Sequence, residues 1–122
     1  MSYSRNEQLQ RIIDGVRAER FDSLEGLNIL ALECDKEKKT GGMNVYADCK
    51  KVSDFWKVVA DYDFIITFYA GWDFLSEQAV LNLATHELMH CGWDGEKTSI
   101  VPHDVQDFRQ LIEEAGMDWI SE

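Results

Sequence analysis

The stretch LATHELMHCG, Leu83 to Gly92, constrains this chain more than any other. It sets His86 and His90 four residues apart with Glu87 beside the first, inside an apolar run. Residues four apart share a face of an α-helix, so this spacing predicts a helix that turns both imidazoles toward one ion, about 2 Å from each nitrogen. Glu87 falls roughly a third of a turn round, next to such an ion without having to bind it. Two neutral nitrogen donors with a carboxylate alongside are what metal-assisted hydrolysis needs: the donors hold Zn²⁺ and the carboxylate takes a proton from water. Ser76 is placed to cap the helix, Glu77 complements its first turn, and Gly92 marks its expected stop. Around the helix Ala79 and Leu83 line up with the histidines, Val80, Ala84 and Cys91 lie on the Glu87 side, and Gln78, Asn82 and Thr85 are expected to face away.

A tetrahedral catalytic zinc takes three protein ligands and leaves its fourth position to water. The chain has three histidines, and the one outside the motif, His103, follows His90 with twelve residues between them. It is the candidate third ligand, although its place at the entry to a last helix sets it opposite that helix's apolar stripe. Glu113 or Glu114 lies at a distance comparable to the glutamate ligand of gluzincin-type enzymes, and Asp104 or Asp107 can ligate or orient a ligand. The metzincin continuation H-x-x-G-x-x-H is absent, because Trp93 stands where its glycine would be.

The remaining pattern predicts an α+β domain. Leu9, Ile12, Ile13 and Val16 recur at helical spacing and predict an amphipathic helix over Asn6 to Arg20. Leu27 to Cys34 is a nearly continuous apolar run of strand length. After the KTGG turn, Val45, Ala47 and Cys49 alternate with polar neighbours, giving a second strand over Met43 to Lys51. A short amphipathic segment spans Ser53 to Ala60, and Tyr62 to Tyr69 supplies a third, β-prone strand. From Pro102 or His103 to Ala115, Val105, Phe108, Leu111 and Ile112 predict a C-terminal helix. The expected architecture is a three-stranded sheet packed against the N-terminal, H-E-x-x-H and C-terminal helices, in one domain over residues 1–122.

Charge and cysteine usage narrow the function. A net charge of −11 repels phosphate backbones, so no nucleic-acid partner is expected, and acidity instead favours basic ones. The one dense basic run, Lys36 to Lys39, is interrupted by Glu37 and reads as a solvated turn. Cys34, Cys49 and Cys91 form an odd, widely spaced set without C-x-x-C, which points to reduced, buried thiols rather than a disulfide framework or a cysteine zinc site. The start lacks a signal-type apolar region, and Phe64 to Tyr69 is too short to cross a bilayer, so the expected location is cytoplasmic, with no membrane partner.

From about Leu27 to Trp119 the chain resembles the phage metallopeptidase family, small phage and prophage proteins with a zincin-like H-E-x-x-H helix. The segments DKEKKTGG, KKVSDFWKVVADYDFIIT, LATHELMHCG and PHDVQDFRQLIEEAGMDW carry the resemblance, the last two most specifically. It implies a zincin-like fold, a zinc cofactor held by His86, His90 and His103, Glu87 as the catalytic glutamate, and a protein or peptide substrate. The family often has cysteine where this chain has Met89, a non-ligand position that leaves the chemistry intact. The function expected is therefore a zinc-dependent metallopeptidase in a host cell's cytoplasm. Oxyanion stabilisation would fall to Tyr69, Tyr46 or zinc, and an extended peptide would add to an exposed edge, Met43–Lys51 or Tyr62–Tyr69. Trp93 either walls the cleft or, more simply, packs in the core. The alternative is a non-catalytic acidic phage protein that occupies a partner's surface and uses zinc only for structure. A third is a metal-free domain with incidental histidines.

Overall fold

The computed structural model describes residues 1–102. Strand β1 (Tyr3–Arg5) leads into helix α1 (Glu7–Arg20), strands β2 (Ile29–Cys34), β3 (Lys38–Thr40), β4 (Met43–Val45) and β5 (Ala47–Lys51), then helix α2 (Asp54–Lys57) and strand β6 (Phe64–Phe68). Helix α3 (Glu77–Met89) follows, and then strands β7 (Cys91–Trp93) and β8 (Thr98–Ile100). The class is α+β as expected, and the N-terminal and motif helices form; the expected C-terminal helix lies outside the described residues.

The sheet departs from the expectation. It has four strands, in the order β1-β2-β6-β5, with β2 and β6 parallel and the outer pairs antiparallel. Two features account for the difference. Tyr3–Arg5 is too short and too exposed to announce itself as a strand, yet it pairs with Leu32–Cys34. Met43–Lys51 is not one strand but two: Gly41 and Gly42, at φ +59° and +78°, make a turn open to few other residues, which folds β4 back on β3 as a separate hairpin. Only β5, beyond Tyr46, joins the main sheet.

One face of that sheet builds the core. Ile29 and Ala31 of β2, Phe64, Ile66 and Phe68 of β6 and Ala47 of β5 alternate onto it, as a two-residue period requires. Against them pack Leu9, Ile13 and Val16 of α1 and Ala79, Val80, Leu83, Ala84 and Leu88 of α3. Burial of each large side chain stabilises the fold by about 2 kcal/mol. Where β1 ends, Gln10 takes over the open edge of β2: its Nε2 donates to Ile29 O and its Oε1 accepts from Ala31 N, both at 2.8 Å. Asn6 caps α1 by accepting from Leu9 N at 3.0 Å. The N-terminal helix is thus fixed to the sheet by polar as well as apolar contacts.

Among the described residues no helix is long and apolar enough to cross a membrane. Phe55, Trp56, Val58 and Val59, in and just after α2, stand 58–87% exposed and form an apolar projection.

Candidate metal centre

Helix α3 starts where its cap predicts, with Ser76 Oγ accepting from Ala79 N at 3.1 Å. It ends earlier than Gly92, at Met89, with His90 as its last, still helical, cap. Gly92 has a different task. A Cβ there would run into Ser99 Oγ and come within 2.9 Å of Ser99 O, so its lack of a side chain lets β7 pair closely with β8. The helix is also more deeply enclosed than its amphipathic pattern suggests. Asn82 and Thr85, expected to face away, are buried, and each satisfies a polar group locally: Asn82 Oδ1 accepts from Gln78 Nε2, and Thr85 Oγ1 donates to Leu81 O.

His86 is buried and His90 half-buried, with ring centroids 5.0 Å apart and ring planes at 90°. Two imidazoles sharing a tetrahedral ion, each nitrogen about 2 Å from it, have centroids about 5 Å apart, so the separation suits a common ligand. His90 is held by its neighbours in the hairpin. Its Nδ1 lies 2.7 Å from Val101 O, and because a carbonyl only accepts, Nδ1 carries the proton and Nε2 the lone pair of the neutral ring. Val101 N in turn donates to His90 O at 2.8 Å, so the chain leaving β8 is clasped to His90 twice. The turn before β8 is stiffened by Asp94, whose Oδ1 accepts from the amides of Glu96 and Lys97, bonds that hold its carboxyl below the usual range.

Glu87 is 4% exposed, and burial, reinforced by the charge of Asp48 and opposed by Lys38, pushes its carboxyl up to about 8. Asp48 belongs to a second layer. Its Oδ2 accepts from Tyr69 Oη and from Lys38 Nζ, both at 2.7 Å, while its Oδ1 is buried with no hydrogen-bond partner among the described residues. Two carboxyl groups and one lysine leave this region short of positive charge, an environment that favours a cation. Asp48 had no local signal in the sequence. It reaches the site because β5 lies beside α3, a pairing set by the sheet.

The other expected residues divide. Tyr69 is buried, and that burial, with the donation of its hydroxyl to Asp48, raises its pKa. The Tyr46 ring packs at Gly71, where a Cβ would come within 3.3 Å of it. Trp93, expected mainly in the core, is 37% exposed on the hairpin. Strand β6 is interior to the sheet, which removes Tyr62–Tyr69 as a docking edge and leaves β5 as the edge nearer α3. His103, Asp104, Asp107, Glu113 and Glu114 lie outside the described residues. Among the described residues no cluster of three or more His, Cys, Asp or Glu side chains is assembled. The donors present fit a metal in kind and in separation, as a pair.

No curated protein and no solved structure matches the chain. A family model described as "Putative phage metallopeptidase" matches residues 1–121, nearly the whole chain. A metallopeptidase family implies a metal cofactor and protein or peptide substrates. With a histidine pair spaced for one ion and a buried glutamate between them, the chain belongs to this phage metallopeptidase family.

Proposed function

We propose that the chain is a zinc-dependent metallopeptidase, a single zincin-like domain over residues 1–122 in which His86, His90 and His103 hold the metal and Glu87 is the general base. The observation that carries it is the His86–His90 pair at 5.0 Å, with the His90 tautomer set by Val101 O so that Nε2 bears the lone pair. His103, two residues after Val101 in the sequence, is the third donor in this reading.

Zinc bound there would supply Lewis acidity toward a water molecule and the peptide carbonyl. Glu87 does the proton work. Its carboxylate accepts the water's proton as the nucleophile forms and returns it to the departing amine. Val101 O keeps the His90 ring oriented, and the edge of β5 offers main-chain groups to an extended substrate.

Protein purified without added metal is expected to carry one zinc per chain by elemental analysis and to cleave members of a fluorescence-quenched peptide library. His103→Ala should lower the zinc content well below one; full retention would move the third ligand to Asp104, Asp107, Glu113 or Glu114. Zinc-free protein whose stability ignores added ZnCl₂ would end the proposal. Gly92→Ala should force β7 and β8 apart, loosen the Val101 clasp, and weaken zinc affinity about tenfold in a chelator competition.

One observation favours the non-catalytic alternative. The exposed Phe55, Trp56, Val58 and Val59 are the kind of apolar projection that docks on another protein. Both functions retain zinc, and they part at Glu87.

A further inference from the structure

The two cysteines nearest the metal centre are not used by the proposed hydrolysis. Cys49 lies in the middle of β5, opposite Ile66 of β6, and Cys91 opens β7 directly after His90. They are 42 residues apart in sequence, yet their Sγ atoms are 3.6 Å apart. A disulfide needs about 2.05 Å, so closing the gap takes a movement of the order of 1.5 Å, within the range of side-chain rotation.

We propose that Cys49 and Cys91 form an oxidisable dithiol site, which takes a two-electron oxidant such as a peroxide and closes to an intramolecular disulfide. Access decides the order. Cys49 is half-buried and Cys91 buried, so Cys49 meets the oxidant first. Its sulfur attacks one peroxide oxygen, the O–O bond breaks, and a sulfenic acid and one water form. The Cys91 sulfur then attacks the Cys49 sulfur, the S–S bond forms as the S–O bond breaks, and a second water leaves. Each thiol gives up one proton and one electron, and the peroxide is reduced to two waters. Contact with Cys91 and burial push the Cys49 thiol up, so the reaction runs more slowly than at an exposed thiol. Cys34, buried at the end of β2 opposite Tyr3, is the internal control.

The test uses the full chain, reduced, desalted and treated with hydrogen peroxide. Intact mass should fall by two hydrogens in a monomer, and peptide mapping should join Cys49 to Cys91 with Cys34 unmodified. The thermal midpoint should rise by roughly 5–10 °C, because the crosslink closes a long loop, and dithiothreitol should reverse it. Cys49→Ser and Cys91→Ser should each lose the linked product, whereas Cys34→Ser keeps it. Disulfide-linked dimers, a link through Cys34, oxygen adducts without a link, or no change in mass would each overturn the proposal.

Discussion

Glu87→Gln is expected to lower kcat on a cleavable peptide by about 10²- to 10⁴-fold while zinc content stays unchanged. Glutamine matches glutamate in shape and can occupy the same buried space, but its amide accepts no proton from water at neutral pH. His86 and His90 do not depend on that carboxylate for their placement: the helix sets their spacing, and Val101 orients the second ring. The loss should therefore appear in turnover and not in metal binding. If the substituted protein keeps its biological effect, with zinc in place, the chain acts as an interaction protein and the exposed α2 residues become its working surface.

The same substitution should stabilise the metal-free chain at alkaline pH. The Glu87 carboxyl has its folded pKa raised from 4.5 to about 8, mainly by burial. Between those values the native state binds more protons than the unfolded state, so stability is fully present below pH 4.5 and is lost as pH rises through 8. At most about 5 kcal/mol is at stake over that window. Urea denaturation of chelator-treated protein at pH 5 and pH 9 should show the decline in the native sequence and a much flatter response in Glu87→Gln. Equal slopes in the two proteins would mean that Glu87 is hydrated in the metal-free state. A decline confined to the native sequence would make one carboxyl both what the chemistry needs and a cost to the fold, a trade commonly seen at functional sites.

Much of the frame was legible in the chain because the signals were local. Periodicity over Leu9 to Val16, the Ser76 cap and the β-branched and aromatic run at Phe64–Phe68 each concern residues within a turn or two of one another. The H-E-x-x-H spacing likewise requires only that a helix form. The splitting of Met43–Lys51 was signalled too, by Gly41 and Gly42, but the alternation of Val45, Ala47 and Cys49 masked it. Other features had no local mark. Tyr3–Arg5 is a strand only because β2 has an edge to offer, and Asn82 and Thr85 are buried although their positions on the helix read as outward.

The sequence by itself determined that two imidazoles and a carboxylate share one helix, since helical geometry follows from spacing along the chain. Only the tertiary structure decided what surrounds them: Asp48 and Lys38 beside Glu87, Tyr69 on Asp48, Val101 O on His90, and Cys49 against Cys91. The contacting residues are separated by 10 to 42 positions along the chain. Proton affinity, tautomer and thiol proximity depend on distances through space, and a linear pattern carries those distances only once the sheet has set its register.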